Sequence, residues 1–196
     1  LAVSGLLTKE VGGAGVRPYQ PANIWNEVSL NGGLRYRQDK GEKLYRRSMY
    51  TYWKRSSPMP NMLIFDAPSR EKCVIQRQRT NTPLQALVTL NDPQFVEAGR
   101  VLAQRLIKSA DRAPAKRIDL GYRLATSRPA EKREVEILTR LLNANLEKFR
   151  KDPESAKKYL AAGESPRDES IDPIEHAAWT VVTQTILNLD ETLTRN

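Results

Sequence analysis

From residue 81 onward, apolar side chains recur at spacings of three and four, the period of one helical face. Phe95, Ala98, Leu102 and Leu106 form one such stripe. Ile118, Leu120 and Leu124 form a weaker second stripe, and Val135, Leu138, Leu142, Leu146 and Phe149 a clear third. Ala178, Val182, Ile186 and Leu189 form the last, with Trp179 beside them. The predicted helices begin with recognisable starts. Asp92-Pro93, Asp152-Pro153 and Asp172-Pro173 each place a carboxylate acceptor before a proline whose fixed φ suits the first helical position. Thr82 followed by Pro83 and Gln85 has the same grammar, and Glu175 after Asp172 completes a variant capping box. Asp152 to Gly163 reads as a short helix closed by a glycine. Five or six amphipathic helices with short links must bury their stripes against one another, so the pattern predicts a helical bundle over 81–196.

Residues 1–80 lack that period. Leu1 to Thr8 reads as the tail of a helix, Gly12 to Gly15 as a flexible turn, and Pro18 and Pro21 bracket an extended stretch. Asn23 is placed to cap a short helix carrying Ile24, Trp25 and Val28. Tyr45 to Trp53 fits both periods, and its aromatic and β-branched content tips it towards a short strand. Met62 to Phe65 reads as a second short extended piece. The expected fold class is therefore mainly α: a C-terminal bundle and an irregular N-terminal part, with short helices and two short strands. The chain is read as one domain, a piece of a longer protein, since it opens at Leu1 with no signal or transit peptide.

Charge divides the same two parts. The 196 residues carry a net +9, of which +8 falls between Arg35 and Thr80, where twelve basic residues meet four acids. Six of the thirteen aromatics lie there too. Hydrophobic residues at 39% and charged residues at 28% are ordinary globular usage. No apolar run approaches the length of a membrane span. A lone Cys73 and a lone His176 exclude an internal disulfide, a cysteine-rich or histidine-rich metal centre, and the Cys-x-x-Cys-His haem attachment within this chain. No metal site and no cofactor is expected in it.

Two groups of residues invite a functional reading. Asp66, Arg70, Arg77, Arg79 and Asn81 crowd against the predicted helix start at Thr82, where guanidinium forks and amides could receive a carboxylate, sulfate or phosphate. Equally, Asp66 could pair internally with Arg77 or Arg79 and leave no ligand site. The second group is the basic aromatic surface of Arg35, Arg37, Arg46, Arg47, Tyr50 and Tyr52. Alternating Arg and Tyr suits an acidic or sulfated polysaccharide, with rings on sugar faces and arginines on anions, or else a solvated basic face over core aromatics. Nucleic acid is the least favoured ligand, because no recognition motif accompanies the charge. Catalytic sets are thin: His176 has no partner histidine, no Gly-x-Ser-x-Gly elbow exists, and Asp66 with Glu71 lies too near cations to hold a raised pKa.

Three stretches also occur together: Tyr45-Arg46-Arg47-Ser48-Met49-Tyr50, Phe65-Asp66-Ala67-Pro68, and Arg79-Thr80-Asn81-Thr82-Pro83-Leu84-Gln85-Ala86-Leu87-Val88 running on to Asn91-Asp92. Ser4-Gly5-Leu6-Leu7, Gly12-Gly13, Pro18-Tyr19-Gln20-Pro21 and Asn188-Leu189-Asp190-Glu191 accompany them. With these the chain resembles, over nearly its whole length, a planctomycete-specific C-terminal domain of unknown function from exported proteins that also carry a cytochrome-c-like domain. The resemblance implies export to the periplasm or cell surface, and a c-type haem held in a separate upstream domain. It implies no activity. The expected function is a non-catalytic interaction module that contacts anionic polysaccharide or upstream domains of its own polypeptide. The alternative is a hydrolase-type enzyme with its site near Asp66, Arg77 and Arg79. Trp25 and the Tyr45–Trp53 aromatics, on the module reading, would form an exposed apolar patch.

Overall fold

The computed structural model describes residues 1–28 and 35–194. Among them the regular structure is helical: α1 (Ile24–Glu27), α2 (Pro60–Ile64), α3 (Pro83–Asn91), α4 (Pro93–Ile107), α5 (Pro114–Thr126), α6 (Lys132–Lys151), α7 (Pro153–Leu160), α8 (Pro173–Leu187) and α9 (Asp190–Leu193). The predicted mainly α class with a C-terminal bundle is what the chain adopts. The predicted starts are present in atomic detail. Asp92 accepts from the Gln94 N–H, Asp152 from Ser155 and Asp172 from Glu175, each with a proline following in the first turn. One capping box escaped the sequence reading: at the start of α6 the Glu131 carboxylate accepts from the Glu134 N–H and the Glu134 carboxylate from the Glu131 N–H, the same reciprocal device built from two glutamates.

The chain divides into two compact units. One contains residues from Ala86 onward together with Leu1–Leu6, and the other is Leu7–Gln85. In the bundle unit, α8 packs chiefly against α4 and α6, with α5 and α7 completing the layer around it. Leu102 and Leu106 of α4, Leu138 and Leu142 of α6, and Ala178, Val182 and Ile186 of α8 all lie in the core, and Ala98 of α4 is buried. The α5 face is set differently from the expectation. Ile118 is buried, but Tyr122 and Ala125 accompany it, while Leu120 and Leu124 are only half-buried. Gly121 explains this, for a side chain there would press on Leu106 and Ile186, so that face comes closest to its neighbours.

The N-terminal expectations need correction. Leu1–Gly5 makes a single turn, with Gly5 N–H donating to the Leu1 carbonyl at 3.1 Å, and Gly5 at φ 92° ends it. Val3 nonetheless packs on the bundle core, and Arg105 donates to its carbonyl. Tyr45–Trp53 is not a strand. It holds two 3₁₀ turns, Gly41–Tyr45 and Ser48–Tyr50, and touches the rest of its unit by single bridges, Thr8 to Arg46 and Val16 to Thr51. The segment lacks a continuous partner, because glycines 12, 13 and 15 and prolines 18 and 21 break the chain that would pair with it. Met62–Phe65 is not extended either: Pro60 opens the short helix α2, and Phe65 N–H closes on Asn61 O at 3.1 Å. Asn23 sits at the start of α1 but makes no cap to the backbone; its side chain accepts from the Asn26 amide instead.

A buried histidine belongs to this core. His176 in α8 is fully enclosed, and its Nε2 lies 3.0 Å from the Arg100 carbonyl. A carbonyl only accepts, so Nε2 carries the hydrogen and Nδ1 stays bare, buried with no hydrogen-bond partner. Burial pushes the imidazole below its ordinary value of 6.5. The bond to Arg100 O opposes this, and the Arg100 and Arg167 charges reinforce it against Asp168.

Leu142→Ala is expected to destabilise the bundle by about 2–5 kcal/mol in denaturant melts, since its site is enclosed on all sides. A loss under about 1 kcal/mol would show that the site collapses around the smaller side chain. The histidine sets a pH dependence. The unfolded chain takes up the proton first as pH falls through 6.5, so the histidine's contribution to stability is level above that value and declines below it. The slope is at most about 1.4 kcal/mol per pH unit. Asp168, Glu134 and Glu191, all held below their ordinary values by bonded cations, contribute only at lower pH. Melting temperature should thus fall between pH 6.5 and 5 in the native chain and stay level across that range in His176→Gln.

Candidate functional site

Asp66 takes a left-handed conformation, φ 57°, which Asp tolerates better than most residues. The bend turns its carboxylate onto Thr80, whose N–H and Oγ1–H both donate to Oδ2, at 2.9 and 2.8 Å. Those two bonds hold the Asp66 carboxyl below the usual carboxylate range, with a smaller pull from the Arg77 charge and from Gln85. Gln85, 2% exposed, ties the motif together. Its Nε2 donates to Ile64 O at 2.8 Å and Thr80 Oγ1 at 2.9 Å, and its Oε1 accepts from Thr82 N–H at 2.9 Å. The Gln85 N–H returns a bond to Thr82 Oγ1, completing the predicted cap.

Arg70 takes a different partner from Asp66. Asp66 faces Thr80, whereas Arg70, also left-handed at φ 62°, lays its guanidinium 4.9 Å from the centre of the Trp53 ring. Arg77, Arg79 and Asn81 are exposed. Glu71, the second carboxylate near Asp66, bonds Arg55 at 2.8 Å and is likewise held low. Two carboxyls that stay ionised leave no proton donor for general-acid chemistry between them. Cys73 is exposed, and among the described residues no His, Cys, Asp and Glu gather as a metal set. Nor is any described helix long and apolar enough to cross a membrane.

The basic aromatic residues separate into two kinds. Arg46 is 7% exposed, and its guanidinium donates to the carbonyls of Glu10, Gly12 and Ala14 while lying 3.9 Å from the centre of the Tyr50 ring. Tyr50 Oη in turn accepts from Gly12 N–H at 2.8 Å. Arg46 and Tyr50 therefore fix the glycine turn together, Arg46 from a buried position and Tyr50 from a half-buried one. Arg35, Arg37 and Arg47 are exposed, with Lys40 and Lys43 between them. Tyr52 is 45% exposed and carries Arg17 5.0 Å from the centre of its ring. Of the residues expected to form an apolar patch, Trp25 and Tyr45 are buried, whereas Met49 and Tyr52 lie at the surface.

What burying Trp25 builds instead is a cavity of about 520 Å³ within the Leu7–Gln85 unit. Trp25 meets Tyr36 edge-on at 5.1 Å and Tyr52 at 5.8 Å, with Lys54 Nζ 4.6 Å from the centre of its ring. Tyr36 is locked by donating its hydroxyl to Pro18 O, and burial with the nearby Asp39 raises its proton affinity well above that of a free tyrosine. Its walls are Trp25, Tyr36, Arg35 and the side-chain amides of Gln20, Asn23, Asn26 and Gln38. Sequence reasoning reached Arg35 and missed the rest.

With this geometry in hand, the comparisons add a family. The chain belongs to the family described as PSD1, protein of unknown function (DUF1553), whose model matches residues 1–142. No curated protein and no solved structure matches it.

Replacing Gln85 with Ala strands the Ile64 carbonyl and the Thr82 N–H at once. A loss of about 1–3 kcal/mol is expected in chemical denaturation. Gln85→Glu keeps the acceptor for Thr82 N–H but sets a buried carboxylate oxygen against Ile64 O, so it should cost at least as much; a neutral Gln85→Ala would show that the Asp66–Thr80 pair holds the motif alone.

Proposed function

For this member of the DUF1553 family we propose a non-catalytic binding module whose Leu7–Gln85 unit engages an anionic polysaccharide, uronic-acid-bearing or sulfated. The observation that carries the proposal is the cavity at Tyr36. It places two aromatic rings, four side-chain amides and the Arg35 side chain around a space of about 520 Å³. A few converging polar groups against an aromatic wall suit a sugar ring, whose faces are apolar and whose rim is hydroxylated. Arg35 adds a fork for a carboxylate or sulfate. Beyond it, Arg37, Lys40, Lys43 and Arg47 extend positive charge along the chain, as a polymer of repeating anions requires. The resemblance to exported proteins bearing a cytochrome-c-like domain adds the setting to the same proposal: the module acts outside the cytoplasm, beside upstream domains of its own polypeptide and a haem held by one of them. A hydrolase centred on Asp66 is the weaker reading, because that carboxylate is engaged by Thr80 and kept ionised.

Binding of the chain to a polyuronate or sulfated glycan should weaken steeply between low and high salt, as contacts between exposed charges do. Arg35→Ala with Arg37→Ala should lower affinity about threefold to tenfold, the scale of two exposed charge contacts. Arg133→Ala, on the exposed side of α6, should leave it unchanged. Binding that ignores salt, or no binding to any polyanion, would contradict the proposal.

A further inference from the structure

The bundle unit holds a second cavity, of about 370 Å³, where α7 ends and the chain returns towards α8. Three of its lining side chains are cationic, Arg100, Lys157 and Arg167, and none of those described is acidic. The sequence hides this convergence, since the three lie 57 and 10 residues apart in a part of the chain that is nearly neutral overall.

Each cation is positioned by the fold. Arg100 projects from α4 and is 1% exposed, its Nη2 donating to Ser165 O at 2.6 Å. The loop carrying Ser165 lies close because Gly163, at φ 85°, has no side chain; a Cβ there would come within 2.2 Å of the Glu97 carboxyl carbon. Glu97 is fully buried, accepts from Ser165 N–H at 2.5 Å and sits 3.7 Å from Arg100, but it does not line the cavity. Arg167 is anchored by Nη1 on the Ile171 carbonyl at 3.0 Å. Lys157, exposed on α7, bonds Glu154 at 2.8 Å. The neighbouring Asp168 is engaged by Lys108 and Ser170. Leu160 and Ala161 supply an apolar wall.

We propose that this cavity binds a small oxyanion-bearing molecule, its phosphate, sulfate or carboxylate group held by Lys157 and Arg167 over Arg100, and its apolar part against Leu160 and Ala161. Guanidinium forks match the planar or tetrahedral oxygens of such groups, and a recess partly shielded from water strengthens the attraction. The site lies wholly in the bundle unit and is independent of the polysaccharide reading.

His176 is the chain's one histidine. It sits one turn beyond Pro173, which lines the cavity, and is bonded to Arg100 O. The charges that reach it, Arg100, Arg167 and Asp168, include two of the three cavity cations. Its imidazole proton resonance therefore reports on this place alone. The test titrates that resonance with pH in the whole chain, in inorganic phosphate, sulfate, acetate or chloride at equal ionic strength, and records melting temperature in parallel. At least one oxyanion should raise the His176 midpoint by about half a unit and raise the melting temperature, because a bound anion offsets the two arginines. Chloride should do neither. Which of the three acts identifies the head group. Lys157→Ala with Arg167→Ala should abolish both responses while the chain still melts cooperatively. Equal responses in chloride, an undiminished response in the double variant, or no response to any oxyanion by either readout would overturn the proposal.

Discussion

The close approach of α8 to α4 is the constraint on which the bundle unit depends. Gly99 makes it possible: a Cβ at that position would stand 2.7 Å from Gln184 Cγ. At that separation the two helices share polar as well as apolar contacts. Thr183 Oγ1 donates across the interface to Gly99 O at 2.8 Å, and His176 Nε2 donates to Arg100 O. Thr180 turns its hydroxyl back to His176 O at 2.7 Å. Gln184 accepts from Tyr159, whose burial pushes its hydroxyl up to about 12. Leaving such groups unpaired in the interior would cost about 1–3 kcal/mol each, so the seam admits one register of α8 on α4. That register places Arg100 and Glu97 where the loop after α7 must close over them.

How much of this could be read beforehand followed from which forces are local. Asp92, Asp152 and Asp172 announced their helices because capping involves residues two or three apart, and the leucines of α6 announced a buried face by period alone. The polar seam was not legible. His176, Thr180, Thr183 and Gln184 read as ordinary helix residues until α4, some 80 positions earlier, is brought against them. The same limit applies to Arg100, Lys157 and Arg167. In the Leu7–Gln85 unit the difficulty was of another kind. Its backbone bonds go to single residues and to side chains such as Arg46 and Gln85, so neither a period of two nor one of 3.6 describes it. Tyr45–Trp53 carried strand-like composition and had no strand to pair with.

The candidate site was legible in charge and not in shape. Composition marked Arg35 to Arg55 as basic and aromatic, which is correct as a tally. It could not tell that Arg46 is buried and, with the half-buried Tyr50, fixes the Gly12–Gly15 turn, nor that Trp25 and Tyr36 meet edge-on and leave a cavity beside Arg35. The chain thereby uses arginine in two contrasting ways. Arg46, Arg100 and Arg117 hold carbonyls and carboxylates inside the fold, Arg117 bonding Glu175 at 3.0 Å and the Ile107 carbonyl at 2.8 Å. Arg35, Arg37 and Arg47 stay in solvent, where a polyanion can reach them.

The most direct measurement of the central claim is hydrogen exchange of the chain with and without a polyuronate at low salt. The account predicts slowed exchange confined to the neighbourhood of residues 20–26 and 35–47, the walls of the cavity and the basic strip beside it, with the amides of α4, α6 and α8 unchanged. Protection spread evenly over the chain, or confined to the bundle unit, would contradict it.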